Sequence, residues 1–129
     1  MGHILTEGQF YAPAEPAVVD GLSAQLGVAL PKDYIDFLKE HNGGEGFIGD
    51  NYIIFFKAEE LADFNREYEV EKYAPGILLF ASNGGGEGYG FDTENAAMPI
   101  VRIPFIGMDR QAAETIARDL SDLFARLAD

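Results

Sequence analysis

Residues 30–49, LPKDYIDFLKEHNGGEGFIG, constrain the fold most because they encode a short helix together with its start and its end. Pro31 suits the first helical position, where its fixed φ fits and its missing N–H needs no intrahelical partner. Apolar side chains recur at the spacing that places them on one side of a helix: they are Leu30, Tyr34, Phe37 and Leu38. Residues 42–44 (Asn-Gly-Gly) can adopt the left-handed conformation that ends a helix. We therefore expect an amphipathic helix that ends near His41.

Three further helices are predicted from apolar periodicity. One covers about residues 14–26, and another covers about residues 58–73, where Pro75 and Gly76 then break the helix. The last is predicted to begin after Asp109, which can cap it, and to run to about residue 127. Its apolar stripe consists of Ala113, Ile116, Ala117, Leu120, Leu123, Phe124 and Leu127.

Strands are predicted from runs of β-branched and aromatic residues. Residues 52–56 (YIIFF) and 77–80 (ILLF) show no in–out alternation, so both faces of these strands are expected to be covered. The glycine-rich residues 83–88 then form a hairpin turn. Tyr89 and Phe91 are expected to share one face of the returning strand, because alternate residues of a strand point the same way.

Residues 99–104 complete a meander, and the prolines at both ends predict a strand that is short or lies at an edge. Residues 1–13 are expected to be loosely structured. No internal repeat or interdomain linker interrupts the chain. The sequence therefore predicts a single α+β domain spanning residues 1–129, with its core at about 14–127. Its sheet should be mostly antiparallel, with about four helices packed on it.

The chain is strongly acidic, with 22 acidic and nine basic residues and a formal net charge of -13. Nine of the acids and only two of the bases lie between residues 40 and 71. Such a field repels nucleic acid and anionic membranes, and it speeds encounter with a cationic partner. Acidic side chains also increase solubility. Charge alone leaves both interpretations open.

Several kinds of site are not expected. The absence of cysteine excludes disulfides, thiolate metal sites and cysteine nucleophiles. The two histidines, His3 and His41, stand at no recognisable metal-ligand spacing with carboxylates, so we expect no metal or cofactor. No apolar run approaches the roughly 20 residues of a membrane span. No signal peptide is recognisable at the N-terminus, so a cytoplasmic location is expected.

Catalytic motifs are also missing. The Gly84–Gly88 loop lacks the Gly-Lys-Ser/Thr of a phosphate-binding loop, and the chain continues from it as a strand rather than a helix. A hairpin explains its glycines, and the alternative is an exposed loop that contacts a ligand or a protein. No serine lies in a nucleophile elbow or near a histidine. The protein is therefore not expected to be an enzyme.

With these residues described, the chain resembles the SUKH superfamily, which includes cell-wall-assembly-regulator-like proteins and bacterial toxin immunity proteins. The resemblance covers nearly the whole chain, from about residue 14 to 127. The matching residues are Leu30-Pro31, Asp33-Tyr34, Phe37-Leu38 and Asn42-Gly43-Gly44, then Leu61, Ile77–Phe80, Asn83-Gly84-Gly85-Gly86 and Tyr89-Gly90-Phe91-Asp92. The chain has no tryptophan, a residue that often precedes the third helix in this family.

The resemblance implies an α+β fold and no shared catalytic residues. It also implies a bacterial immunity protein that binds and neutralises a secreted or contact-dependent toxin, many of which are nucleases. Such a toxin has a cationic active surface, which an acidic surface would suit. The residues predicted to contact this basic protein are Glu45, Asp50, Glu59, Glu60, Asp63, Glu87, Tyr89 and Asp92.

Two other functions stay open at this stage. One is a regulatory scaffold or interaction module, as the eukaryotic relatives suggest. The other is a small-ligand-binding protein that uses the cleft beside the Gly84–Gly88 loop. In each case the protein is expected to bind neither nucleic acid nor membrane, and to be a monomer or a weak homodimer.

Overall fold

A computed structural model describes residues 6–128. The strands are β1 (Thr6–Phe10), β2 (Gly44–Ile48), β3 (Asn51–Phe55), β4 (Ile77–Ser82), β5 (Glu87–Asp92), β6 (Ile100–Pro104) and β7 (Glu114–Ala117). The helices are α1 (Pro16–Leu26), α2 (Lys32–Glu40), α3 (Leu61–Glu67), the single turn α4 (Val70–Tyr73) and α5 (Leu120–Ala128). Short 3₁₀ turns, Ala58–Glu60 and Arg110–Ala112, precede α3 and β7.

The strands form one sheet whose spatial order, β1 to β7, follows the order of the chain. Every neighbouring pair is antiparallel. The predicted α+β class and the antiparallel sheet are thus confirmed. The described residues contain five helices where about four were predicted, because the predicted third helix is divided.

One face of the sheet packs against α2 and α5 through an aromatic core. The ring of Phe124 lies 5.6 Å from that of Phe55 and 6.2 Å from that of Phe37. The ring of Tyr34 lies 5.2 Å from that of Phe91, and none of these five side chains is more than 2% exposed. Truncating one phenylalanine here would destabilise the fold by about 3–5 kcal/mol.

The opposite face carries α3. The ring of Tyr68 stacks on that of Phe105 at 4.3 Å, and Phe105 in turn lies over Gly88. A Cβ atom at Gly88 would lie 2.8 Å from that ring, so only glycine allows the close approach. Tyr89 and Phe91 point the other way and are 3% and 1% exposed, which confirms that they share a face.

The last helix is shorter than predicted. Asp109 caps a 3₁₀ turn by accepting a hydrogen bond of 2.8 Å from the backbone N–H of Gln111. Residues 114–117 then pair with β6 as strand β7. The helix begins at Leu120, and Asp119 accepts a hydrogen bond of 2.8 Å from the N–H of Asp122. The helical stripe through Ala113 and Ala117 was therefore wrong, because pairing with the sheet outweighs the local apolar periodicity.

The predicted helix over residues 58–73 is broken at Glu69. Its φ of 52° is left-handed, an uncommon conformation for a residue with a side chain. The break separates α3 from α4 and allows Val70, which is 1% exposed, to enter the core. Tertiary packing therefore overrides the helical pattern.

The N-terminal prediction was also wrong where the structure describes it. Residues 6–10 are not loose but form β1, which pairs with β2; residues 1–5 lie outside the described residues. The helix α2 ends at His41 in an extended conformation, with φ of -143°, rather than in a left-handed one. Of the two alternatives for residues 99–104, the short strand is the one observed: β6 has five residues and lies between β5 and β7 rather than at an edge.

Candidate functional site

The predicted site residues of the N-terminal half lie beside strands β1, β2 and β3. In β2, Gly44, Gly46 and Ile48 are buried, while the alternating Glu45 and Phe47 are half-buried. The partner strand β3 repeats this pattern, with half-buried side chains opposite Glu45 and Phe47. The prediction that both faces of β3 are fully covered was therefore wrong, because one face is left partly open.

A tyrosine–glutamate cluster, Tyr11, Glu45 and Tyr52, occupies this face. The Tyr11 hydroxyl donates a hydrogen bond of 3.2 Å to Oε1 of Glu45, and the Tyr52 hydroxyl donates to Oε2. The hydrogen bond to the glutamate raises the pKa of Tyr52, whereas burial is the main cause that raises the pKa of Tyr11. Both phenols therefore stay protonated at neutral pH and hold the carboxylate in one orientation.

Asn42 holds the first acidic residue after β3 beside the end of α2. Its Oδ1 accepts a hydrogen bond of 2.7 Å from the N–H of Ala58, and its Nδ2 donates one of 2.9 Å to Glu59. Its backbone N–H donates to the carbonyl of Ala12 at 2.9 Å. The backbone of Asn42 thus joins the end of α2 to the segment before α1, and its side chain joins it to the turn before α3. Asn42 therefore connects three parts of the fold, although the left-handed end predicted for the helix at residues 42–44 is not its C-cap, which is His41.

Gly43 is also confined by close backbone contacts, and we call Asn42 and Gly43 the junction. Its φ is 83°, and a Cβ atom there would lie 2.6 Å from the carbonyl oxygen of Phe55. The carbonyl of Gly43 accepts a hydrogen bond of 3.0 Å from the N–H of Tyr11. A residue with a side chain would therefore clash with the backbone at the end of β3.

Three more acids, Glu60, Asp63 and Glu67, follow Glu59 along the chain. Glu60 accepts a hydrogen bond of 2.9 Å from the N–H of Lys57, and it lines a cavity of about 180 Å³ with Asp63, Phe64 and Glu67. The negative charge of Glu60 also contributes to the raised pKa of Tyr11, after burial and Glu45. We define the acidic surface as Glu45, Glu59, Glu60, Asp63 and Glu67.

The acidic surface carries little compensating charge. Within residues 6–128, Asp63 is its single member with an ion pair, which it forms with Arg66. The other nearby cation, Lys57, places its Nζ 5.4 Å from the centroid of the Tyr11 ring. The negative field of this surface therefore remains largely open to solvent.

The structure places Glu87 and Asp92 on a different part of the sheet, where arginines contact them. Arg102 lies 3.5 Å from Glu87 and 3.0 Å from Glu114. Arg110 lies 2.7 Å from Asp92. These two predicted contacts are therefore separate from the acidic surface and already partnered within the chain.

The other two predicted contacts are also apart from it. Asp50 is exposed in the turn between β2 and β3. Tyr89 is 3% exposed, so the prediction that it reaches the surface was wrong. Its position in a central strand, rather than near a loop, buries the ring.

Sequence reasoning missed Tyr11 and Glu67 and did not connect Tyr52 with Glu45. The alternation in Gly44-Glu45-Gly46-Phe47 was an available signal, because it has the period of a strand with one open face. The pairing of Glu45 with the tyrosines was not available, because it depends on register across three strands.

A larger cavity, of about 750 Å³, opens between the end of α1, α3, α4 and the start of β4. Its floor includes Leu26, Val70 and Ile77, and no residue of the Gly84–Gly88 loop lines it. The Asn65 side chain in its wall already bonds the carbonyls of Leu61 and Leu79 and the N–H of Leu79. The cavity thus offers an apolar floor but little unpaired hydrogen-bonding capacity in that wall.

Neither a metal-ligand cluster nor a membrane-spanning helix occurs within residues 6–128. Between residues 6 and 128, no three histidine or acidic side chains are grouped so that they could hold a metal ion. Over the same residues, no helix has the length and apolarity required to cross a bilayer.

The chain belongs to the SMI1/KNR4 family (SUKH-1), whose family model matches residues 13–126. It is also 35% identical over 87 residues to the uncharacterised protein YnaB of Bacillus subtilis strain 168. That alignment covers 67% of this chain and 56% of YnaB, so the chain matches little more than half of that relative's length. Domains of this family are generally non-enzymatic and are associated with protein partners.

Proposed function

We propose that this protein is a non-enzymatic immunity protein that binds a basic toxin through the acidic surface and blocks the toxin's functional face. The observation that carries the proposal is the grouping of Glu45, Glu59, Glu60, Asp63 and Glu67 beside half-buried tyrosines. Four of these five acids have no ion pair within residues 6–128.

Electrostatics supports a cationic protein as the partner. An open negative field attracts positively charged surfaces over a distance and increases the rate of association. Phosphate backbones and anionic lipids would be repelled by the same field. A nuclease toxin fits this requirement because its substrate-binding face is cationic, and covering that face would stop catalysis.

The aromatic side chains support a protein partner rather than mere solubility. Tyr11 and Tyr52 are half-buried and hydrogen-bonded, so they would lose little conformational entropy on binding. Tyrosine is enriched among the residues that dominate binding energy. A surface selected only for solubility would not require ordered aromatic rings among its acids. We expect the protein to act in the cytoplasm as a monomer or a weak homodimer.

The test is capture of partners from the native lysate at low and at high salt, followed by co-expression of each captured protein with this chain. We expect one basic protein that is retained at low salt, weakened by high salt, and toxic to cells unless this chain is present. Salt should weaken capture because it screens the charges that steer association.

Two triple variants with the same change in net charge, one a test and one a control, show whether capture depends on the acidic surface. Glu59→Lys, Glu60→Lys and Asp63→Lys together should abolish both capture and protection. Glu15→Lys, Glu40→Lys and Glu71→Lys together should retain both, because these exposed residues lie outside the acidic surface and form no ion pair within residues 6–128. A captured partner that is basic but harmless would favour a regulatory scaffold, and retention of no cationic protein at either salt would refute the immunity function.

A further inference from the structure

We propose that the tyrosine–glutamate cluster is an anchor site for an arginine side chain, and that Glu45 receives the guanidinium of a basic partner. The partner's identity as a toxin rests on the proposed function. The anchor itself rests on the geometry of Tyr11, Glu45, Tyr52 and Phe47.

The carboxylate of Glu45 is oriented but not saturated. Each of its oxygens accepts one phenolic hydrogen bond, from Tyr11 or from Tyr52. A carboxylate has about four lone-pair sites, so among the described residues one site on each oxygen remains. A guanidinium presents two parallel N–H groups that match two carboxylate oxygens, whereas a lysine ammonium acts as a point charge.

The neighbouring side chains form an apolar platform for the same group. The rings of Phe47 and Tyr52 lie 5.0 Å apart and nearly perpendicular. Together with Ile54, they are half-buried on the face of the sheet that carries Glu45. A guanidinium can stack on such rings while it bonds the carboxylate, because it is planar and weakly hydrated.

One cation of the chain, Lys57, lies beside the tyrosine–glutamate cluster. Lys57 already lies over the Tyr11 ring, with its Nζ 5.4 Å from the centroid. Within residues 6–128, Lys57 forms no ion pair with Glu45. It therefore lies at the rim as a competing charge and leaves the glutamate open to a cation from outside.

Elsewhere in the chain, carboxylates on or beside the strands bind arginine side chains of the same molecule. Arg102 bridges Glu87 and Glu114 across neighbouring strands, and Arg110 contacts both Asp92 and Glu94. In those places the chain supplies its own guanidinium to a strand carboxylate. At Glu45 it supplies two phenols instead, and a partner must supply the guanidinium.

The experiment is a titration of the full chain with N-acetyl-arginine methylamide, followed by amide chemical shifts in NMR spectra. N-acetyl-citrulline methylamide, which has the same shape without the charge, serves as the ligand control. Saturable shifts are expected at residues 11, 45, 47, 52 and 54, and the citrulline compound should cause none there.

Matched variants locate the effect. Glu45→Gln should weaken arginine binding by roughly tenfold, because a charge-assisted bidentate contact is lost. Glu114→Gln should leave it unchanged, and Lys57→Gln should strengthen it a few-fold by removing the competing charge. Unfolding midpoints of each variant separate a loss of binding from a loss of fold.

The outcomes distinguish this inference from the proposed function. Shifts spread evenly over all acids, or equal binding by wild type and Glu45→Gln, would overturn the anchor while leaving capture of a toxin possible. Failure to capture any basic protein, together with saturable arginine binding at Glu45, would refute the immunity function and retain the anchor.

Discussion

Residues 40–71 and residues 72–128 both carry many acids, but they differ in how many of those acids form ion pairs. The first segment has nine acids and two bases, and among the described residues Asp63 alone of those acids forms an ion pair. The second has seven acids and five bases. Five of its acids form ion pairs: Glu87, Asp92, Glu94, Glu114 and Asp122.

The two unpaired acids of the second segment also have structural partners. Asp109 accepts a hydrogen bond from the N–H of Gln111, and Asp119 accepts one from the N–H of Asp122. The second segment therefore uses its acids to stabilise strands, turns and a helix end. The first segment leaves most of its charge without an ion pair, and this difference supports the proposal that the acidic surface meets an external partner.

The largest expected effect comes from disrupting the junction that positions the acidic surface. Gly43→Ala combines a left-handed φ of 83° with a Cβ contact of 2.6 Å to a backbone oxygen. We expect destabilisation of about 3 kcal/mol or more, the sum of a conformational penalty and a steric clash. Chemical denaturation measures this change.

Gly27→Ala is the matched control for that variant. Its φ is 70°, but no heavy atom lies within 4 Å of the added Cβ. Only the conformational penalty should appear, about 1–2 kcal/mol. Equal losses in the two variants would mean that the contact at Gly43 does not matter.

Neutralising one acid in each segment tests whether the acids of the second segment stabilise the fold more than those of the first. Asp92→Asn removes the negative charge from the 2.7 Å contact with Arg110 and should destabilise the protein by about 1 kcal/mol. Glu67→Gln removes a charge that has no ion pair within residues 6–128, so it should change stability by less than about 0.5 kcal/mol. If Glu67→Gln proved the more destabilising of the two in thermal unfolding, the assignment of structural roles would be reversed.

Acid pH should affect the second segment through Asp122. The backbone N–H of Arg118 and then the side chain of Arg126 lower the pKa of this carboxyl below its usual 3.8. A lowered pKa stabilises the fold fully above the unfolded-state pKa and loses that contribution as pH falls through the folded-state value. Asp122→Asn should therefore be less stable than wild type at neutral pH, and the difference should disappear in strong acid.

A persistent gap between these two proteins in acid would show that Asp122 acts through packing rather than charge. Denaturation curves of both proteins across the acid range measure the gap. Glu67→Gln, compared with wild type in the same way, provides the control from the first segment.

The smallest effect is a shift in tyrosine ionisation at the acidic surface. The hydrogen bond and the negative charge of Glu45 raise the pKa of Tyr52 above 10.0. Glu45→Gln should move that pKa back toward 10.0, with a smaller change at Tyr11 because burial is the main cause there. Absorbance titration of the phenolate, with Tyr52→Phe to assign the signal, checks the order of the two changes.

Much of the fold could be predicted because local pattern and tertiary environment agree. The buried run 77–80, the glycine turn after it and the Tyr-Gly-Phe alternation all predict β4 and β5, and both strands form. The apolar stripes of α1 and α2 likewise face the core, through residues such as Leu22 and Phe37.

The failures occur where distant parts of the chain decide the outcome. Residues 114–117 have helical periodicity but pair with β6, and the glycine-rich residues 44–48 form a strand because β1 and β3 flank them. At the site, the charge excess between residues 40 and 71 was visible in the sequence. The contact of Tyr11 with Glu45, 34 positions apart, was not, because it requires the register of three strands.

The most direct test of the acidic surface as a binding site is the association rate constant with the captured basic protein. Glu59→Lys, Glu60→Lys and Asp63→Lys together should lower this rate by roughly tenfold or more at low salt, since charge reversal removes electrostatic steering. The equally charged control, Glu15→Lys, Glu40→Lys and Glu71→Lys, should lower it much less. Equal rates for the two triple variants would contradict the account, because they would show that total charge, and not this surface, governs binding.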